Sequence, residues 1–187
     1  MEIRVLNIEL RHFSDRDNGV LADILSRFVE SVNGYIAAVD IKQTAADLQE
    51  IFDKHRIEHG ISIGCLYEDN GAALGIGGFH YLEETGVYEM VCAMLPEHEG
   101  ITAYVLEFLE HQAFANLRMD KVCARALPGT VLDVCLRNNG FVYSGERAFI
   151  PEGADQIWNY YELENEGNMV SATSGTGLIY SDWDAIF

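Results

Sequence analysis

The sequence predicts an α+β protein, an α/β three-layer arrangement in which helices cover both faces of a mixed, mostly antiparallel central sheet. The chain has 187 residues, of which 49% are hydrophobic, enough for one packed core. Residues 61–94 alternate strand-like stretches with tight turns, which is typical of an antiparallel meander. Residues 87–150 then follow the order strand–helix–strand–helix–strand, the pattern that parallel strands need for their crossovers.

The N-terminal part is predicted to contribute one strand and two helices. Met1–Ile8 is the opening strand, and the polar cluster 14–19 starts a helix that runs to about Glu30. Thr44 is placed to cap a second helix, which Gly60 ends. The apolar stripes of the two helices are formed by Leu21, Ile24, Leu25 and Phe28 and by Leu48, Ile51, Phe52 and His55.

The later elements follow from turns and periodicity. Tight turns separate the three meander strands, and Pro96 stops the third. Gly100–Leu117 carries apolar residues on more than one stripe, which predicts a largely buried helix. The other predicted elements are the strands Ile61–Tyr67, Ala72–Leu82, Val87–Met94, Lys121–Leu127, Phe141–Ile150 and Gln156–Leu163 and the short helix Val131–Arg137.

Composition divides the chain into a body, residues 1–164, and a C-terminal extension, residues 165–187. The extension begins with Gly, Ser, Thr, Asn and acidic residues and closes on the aromatic and acidic segment LIYSDWDAIF, residues 178–187. Such a segment can dock on its own body or on a protein partner, and both possibilities stay open. The sequence also leaves open whether the protein forms a homo-oligomer.

The charge balance restricts the function classes. With 30 acidic and 12 basic residues the net charge is -18, so we expect no direct nucleic-acid binding and no binding to an anionic membrane. No stretch reaches the roughly 18 apolar residues of a membrane span. The four cysteines lack CxxC spacing and are interpreted as reduced thiols. We expect a cytoplasmic protein, or one of a host cytoplasm or virion if viral, with a cationic amine or basic protein as partner.

The run VYEMVCAMLPEHEGITAYVLEFLEHQAF, followed by NLRMDKVCARAL and LRNNGF, contains a strand, a Gly-containing helix start and a second crossover. In these segments, and in element order over residues 2–164, the chain resembles the GCN5-related N-acetyltransferase superfamily. The resemblance implies the acyl-CoA N-acyltransferase fold of that superfamily. It also implies acetyl transfer from acetyl-CoA, the one cofactor expected, to an amine of a cationic acceptor.

The resemblance assigns a cofactor site by position. In the superfamily, the strand before the Gly-containing loop binds the pantetheine arm through its main chain. Backbone N–H groups of the loop hold the pyrophosphate, because a helix start leaves such groups available to anions. The residues implied here are Met90, Val91, Cys92, Ala93 and Met94 for the thioester and pantetheine and Glu99, Gly100, Ile101, Thr102 and Ala103 for the pyrophosphate.

The implied reaction needs a base for the amine and an acid for the thiolate. Glu89, on the predicted strand Val87–Met94, is the candidate base, with His80 nearby in the meander. Tyr143 is the candidate acid. Two other interpretations stay open, an outward-facing strand carboxylate for Glu89 and a core or rim tyrosine for Tyr143.

A second hypothesis is a catalytically degenerate protein of the same fold with a structural, assembly or interaction role, for example a bacteriophage head-assembly or virion component. It depends on positions that depart from the superfamily pattern. Glu99 stands where a basic or amide residue is usual, and an acid facing a pyrophosphate is repulsive. Leu136 stands where the superfamily often has the tyrosine that protonates the thiolate.

Two histidine-containing patterns have spacings that can occur in metal sites. His55-Arg56-Ile57-Glu58-His59 matches H-x-x-E-H, whose two histidines lie on one helix face and could share Zn²⁺. Glu107, Glu110 and His111 also share a helix face, but a carboxylate site in a bundle needs a second ligand helix. Because Gly60 ends the second helix directly after His59, we expect a polar helix end there and no bound metal.

Overall fold

Seven strands form one sheet in the computed structural model, which describes residues 7–14, 17–31, 41–149 and 156–165. The strands are β1 (Ile8–Arg11), β2 (Ile63–Glu68), β3 (Ala73–Leu82), β4 (Val87–Met94), β5 (Lys121–Ala126), β6 (Val142–Phe149) and β7 (Gln156–Glu164). Their order across the sheet is β1-β2-β3-β4-β5-β7-β6. Only the central pair β4–β5 is parallel among these neighbours, so the prediction of a mixed, mostly antiparallel sheet is confirmed.

In the part of the chain that the structure describes, four α-helices connect and cover the strands. They are α1 (Asn18–Ser31), α2 (Ile41–His59), α3 (Thr102–His111) and α4 (Val131–Asn138). A 3-10 helix, Pro96–Ile101, leads into α3, and a π-helical turn, Gln112–Asn116, follows it. The N-terminus of α4 is capped by Thr130, whose side chain accepts a hydrogen bond from the backbone N–H of Asp133.

The helices form a layer on each face of the sheet. On one face, Leu21 of α1 and Ala45 of α2 pack on β2 and β3 side chains such as Ile63 and Ile76. On the other face, α3 and α4 pack on the central strands in a larger core that includes Val105, Leu106, Leu109, Leu136, Phe79, Met90 and Val122. This arrangement places β4 and β5 in the middle of the molecule with helices above and below.

Three elements differ most from their predicted bounds, and the other bounds differ by no more than two residues. The described first strand begins at Ile8, where the prediction ended it, and residues 1–6 lie outside the described residues. Helix α2 begins at Ile41, so Thr44 lies inside the helix and is not its cap. The single helix predicted over Gly100–Leu117 is divided, because its first turn is 3-10 and the N–H of Leu117 bonds to the carbonyl of Gln112, five residues back.

The body predicted to end at residue 164 has its last strand end there, at Glu164. Residues 166–187, which include the predicted docking segment 178–187, lie outside the described part of the chain, so the extension and its partner stay predictions. Among the described helices, none has the length and apolar character that crossing a membrane requires.

Candidate functional site

The central strands β4 and β5 pair over a short stretch and then diverge. Residues 88–90 of β4 are in register with residues 122–124 of β5. β4 continues to Met94 and β5 to Ala126 without further pairing to each other. Main-chain groups of residues 91–94 that face β5 therefore have no ladder partner on that strand, which leaves a wedge-shaped gap in the middle of the sheet.

A cavity of about 360 Å³ occupies this gap, and we call it the splay cavity. Its walls come from β4 and β5, from the start of α4, from the 3-10 helix and α3, and from single residues of α1 and β7. Most of the lining is apolar, with hydroxyl and carboxylate groups at a few points. The lining residues are Ile24, Cys92, Ala93, Met94, Glu99, Thr102, Ala126, Leu127, Thr130, Val131, Leu132 and Trp158.

The helix start beside the splay cavity is partly closed on itself. The hydroxyl of Thr102 donates to the carbonyl oxygen of Glu99 at 2.7 Å, and the backbone N–H of Thr102 bonds to the same carbonyl. Thr102 is buried, whereas the Glu99 side chain is exposed. One N–H group that the superfamily pattern would offer to a pyrophosphate is thus already used within the chain.

The structure brings about half of the implied cofactor residues to the splay cavity. The others point elsewhere: Val91 packs against the core under α1 and α2, Ile101 against the core under α3, and Gly100 is exposed. Cys92, Ala93, Met94, Glu99 and Thr102 line the cavity, whereas Met90, Val91, Gly100, Ile101 and Ala103 do not.

The α4 wall of the splay cavity is fastened to β7 by Asp133. This carboxylate is 3% exposed and accepts hydrogen bonds from the N–H of Gly129 at 3.0 Å, from Asn159 Nδ2 at 2.8 Å and from the hydroxyl of Tyr161. Burial by itself would raise the pKa of Asp133, but these hydrogen bonds and Arg137 hold it below its usual value. The wall is therefore rigid and its carboxylate stays charged.

A second and larger cavity of about 600 Å³ lies between α2 and the sheet, and we call it the α2 cavity. Two of its lining residues are close in sequence to residues that line the splay cavity. Arg125 directly precedes Ala126, and Glu89 lies three residues before Cys92. Four carboxylates and two cationic side chains line the α2 cavity. The lining residues are Ile51, Lys54, His55, Glu58, His59, His80, Tyr81, Leu82, Glu83, Glu84, Thr85, Glu89, Arg125 and Tyr160.

Glu89 lies on the β4 side of the α2 cavity and is ion-paired. Its side chain is 4% exposed, and both of its oxygens accept hydrogen bonds from Arg125, one from Nε and one from Nη2 at 2.8 Å. The alternative interpretation of Glu89 as an outward-facing strand carboxylate is therefore wrong. Its assignment as the base stays a prediction.

The H-x-x-E-H pattern has a structural explanation. His55 is buried, and the backbone N–H of Tyr81 donates to its Nε2 at 2.8 Å. Nε2 must therefore be unprotonated, so Nδ1 carries the hydrogen and donates it to the carbonyl of Ile61 at 2.8 Å. With both ring nitrogens engaged, His55 ties the end of α2 to β3. The described residues contain no group of three or more His, Cys, Asp or Glu side chains placed to hold a metal ion.

Neutral histidines make the fold sensitive to acid. Burial lowers the pKa of His12, His55 and His80 below the ordinary 6.5, so the unfolded chain binds more protons than the folded one as the pH falls. We expect the free energy of unfolding to decrease as the pH is lowered through 6.5 towards 5.5, measured by urea titration. His55→Gln should make that dependence shallower; an unchanged slope would contradict the description of His55.

The candidate acid Tyr143 is not brought to either cavity. It lies on β6, which β7 and β5 separate from β4, and its side chain is 48% exposed with its ring 5.8 Å from that of Tyr161.

Sequence reasoning also missed Arg125. The sequence feature that could have indicated it is a cation within a predicted strand that also contains the apolar residues Val122 and Ala124.

Comparison with known proteins rests on structure. No family model matches the sequence, and no curated protein matches it. A GNAT-family acetyltransferase from Bacillus anthracis superposes with a TM-score of 0.67 at 16% identity, over 88% of this chain and 98% of its own. A probable acetyltransferase gives 0.66 at 19% identity, over 84% and 92%.

The spermidine/spermine N-acetyltransferase SpeG from Vibrio cholerae, solved with manganese ions, gives a TM-score of 0.57 at 17% identity, over 84% of this chain and 92% of its own. At such identities the similarity concerns the fold. The mixed, mostly antiparallel seven-stranded sheet and the described helices match these neighbours in overall fold. The chain has the fold of the GCN5-related N-acetyltransferase superfamily.

Proposed function

We propose that the protein transfers the acetyl group of acetyl-CoA to an amine of a cationic acceptor. The observation that carries the proposal is the splay cavity, which opens between β4 and β5 where residues 91–94 lack a ladder partner on β5. A pantetheine arm needs main-chain partners and apolar walls, and this gap offers both. When bound, acetyl-CoA supplies a thioester carbonyl that an amine can attack.

The residues of the gap fit the arm better than the pyrophosphate. Cys92, Ala93 and Met94 line one wall and Leu127 stands on the other, so this part of the chain would bind and orient the arm. At the helix start, Thr102 is turned onto its own chain and Glu99 adds a negative charge. We therefore expect acetyl-CoA to be held mainly through its pantetheine arm, with affinity below that of a basic loop.

The α2 cavity is the proposed site of the amine. Its lining includes the carboxylates Glu58, Glu83, Glu84 and Glu89 against two cationic side chains, and the whole chain carries a net charge of -18. This balance attracts a cation and raises its local concentration. The SpeG neighbours, which are named as spermidine acetyltransferases, make polyamines the first acceptors to test.

The decisive experiment separates binding from transfer. Isothermal titration with acetyl-CoA measures the first, and release of the CoA thiol in the presence of spermidine or a lysine-rich peptide measures the second. We expect saturable binding in the micromolar range or weaker and turnover with at least one of the two amines. Absence of heat at millimolar acetyl-CoA would disprove the proposal.

Glu99 provides a prediction on the cofactor side. Glu99→Gln should tighten acetyl-CoA binding by about three- to tenfold, because a carboxylate near an anion in water costs on the order of 1 kcal/mol. The gain should shrink at high salt, which screens exposed charges. Glu107→Gln, an exposed position on α3 outside both cavities, is the matched control. Equal affinities of the two variants would show that Glu99 does not face the bound anion.

One observation favours the interaction role as a second candidate. The closed helix start at Thr102 and the acid Glu99 both disfavour a bound pyrophosphate. If acetyl-CoA does not bind, we propose that the fold serves in an assembly through residues 167–187. Deleting that segment should then abolish partner capture or self-association without changing the unfolding midpoint. Unchanged association would count against this role.

A further inference from the structure

His80 lines the α2 cavity close in register to the point where β4 and β5 part. It lies opposite Glu89 in the β3–β4 ladder, and Glu89 precedes Met90, the last β4 residue paired with β5. One residue along a strand is about 3.3 Å. The His80 side chain is half-buried and lines the cavity. His80 is therefore one residue row from Met90, the first of the residues implied for the thioester and pantetheine.

The ring of His80 is oriented by stacking and not by hydrogen bonds. Its centroid lies 4.7 Å from that of His55, with 30° between the rings. His55 is itself fixed by its two backbone hydrogen bonds, so it forms a rigid support. Within the described residues, no hydrogen-bond partner contacts either ring nitrogen of His80. The ring nitrogens are thus available to a ligand.

The surroundings keep His80 unprotonated at neutral pH. Burial lowers its pKa, and the positive charge of Arg125 and the ring of His59 lower it further. An unprotonated imidazole is a base poised to accept a proton. The titratable and charged groups that line the cavity around it are Lys54, His55, Glu58 and His59 on α2, Tyr81 on β3, Glu83 and Glu84 in the β3–β4 turn, Glu89 on β4, Arg125 on β5 and Tyr160 on β7.

The neighbouring carboxylate is less suited to this step. Both oxygens of Glu89 accept hydrogen bonds from Arg125, and Glu89 has little exposure. Glu89 and Arg125 together form a fixed, nearly neutral pair at the inner end of the cavity. This ion pair fixes the positions of Glu89 and Arg125 in the cavity lining, whereas the ring nitrogens of His80 are available to a ligand.

We propose that His80 is the proton acceptor for the amine, an inference that rests on the proposed function. As the reaction proceeds, the nitrogen–carbon bond to the acetyl group forms and the carbon–sulfur bond breaks. An ammonium acceptor loses two protons in total: one goes to a ring nitrogen of His80 and the other to the departing sulfur. His80 then releases its proton to solvent through the open side of the cavity.

The test uses His80→Gln and His80→Ala in the full chain, with His111→Gln, an exposed position on α3, as the matched control. Turnover of acetyl-CoA with spermidine is measured from pH 5.5 to 9, and acetyl-CoA binding is measured by calorimetry. We expect His80→Gln to lower kcat/KM by about 100-fold and to remove the acid limb of the pH profile. We expect the affinity for acetyl-CoA to stay within about twofold, and added imidazole to restore part of the His80→Ala rate.

The outcomes separate the two proposals. If wild type turns over spermidine and His80→Gln retains its rate within about threefold, with the acid limb in place, the His80 assignment is wrong and the proposed function stands. If both variants lose acetyl-CoA binding as well as rate, and imidazole restores nothing, His80 has a structural role only. If wild type binds no acetyl-CoA, the proposed function fails and this inference fails with it.

Discussion

Replacement of Arg125 by methionine is expected to lower the free energy of unfolding by about 3 to 5 kcal/mol. The reason is the carboxylate that the substitution leaves behind. Glu89 is 3% exposed, and both of its oxygens bond to the Arg125 guanidinium. Methionine keeps an unbranched apolar stem but has no donor, so Glu89 would remain buried without its partner or would have to bind a proton. Urea titration at pH 7 measures the loss.

A double-mutant cycle identifies the cause. Glu89→Gln combined with Arg125→Met removes both charges, and we expect the double variant to recover at least half of the stability that Arg125→Met loses. Arg118→Met, at an exposed position, is the control and should change stability by less than about 0.5 kcal/mol. A loss below about 1 kcal/mol for Arg125→Met would show that the pair is open to water.

Local pattern was sufficient for most elements of the fold. β4 is observed at the predicted bounds, Val87–Met94, and the neighbouring meander strands differ by one or two residues, because turns and a proline delimit them. The π-helical turn after α3 was not predictable. It depends on hydrogen bonds to the residue five positions back, such as the one from the N–H of Leu117 to the carbonyl of Gln112, which periodicity does not encode.

The two cavities differ in how far sequence could foresee them. The splay cavity was implied by the resemblance, which pointed to Cys92, Ala93 and Met94 as lining residues. The α2 cavity depends on the packing of α2 over β3 and on the pairing of Glu89 with Arg125, 36 residues later in the chain. No local signal fixes such a contact, so the sequence could suggest Glu89 but not its partner.

The H-x-x-E-H pattern shows how spacing alone misleads. Its histidines do lie together, with ring centroids 4.5 Å apart, as helical spacing predicts. What spacing cannot show is the strand packed alongside, whose Tyr81 N–H donates to the imidazole of His55. A metal would have to displace that backbone hydrogen bond, which is partly buried. The motif therefore fixes a helix to a sheet, and only the tertiary contact reveals it.

Filling the splay cavity should abolish acetyl-CoA binding. Ala93 lines the cavity on the β4 side, beside the main-chain groups that have no partner on β5. Ala93→Phe would place a ring in a space of about 360 Å³ that the pantetheine arm needs. We expect the dissociation constant for acetyl-CoA to rise at least 100-fold, or about 2.8 kcal/mol, in a calorimetric titration.

The controls distinguish a blocked site from a damaged fold. Ala115→Phe makes the same change at an exposed position and should leave binding unaltered. If Ala93→Phe disturbs packing under α1, its unfolding midpoint will fall, and Leu127→Trp then tests the opposite wall, where Leu127 follows the end of β5. Because the two substitutions reach the cavity from opposite walls, a shared loss of binding points to the space between them. If both variants are well folded and bind acetyl-CoA as tightly as wild type, the splay cavity is not the acetyl-CoA site.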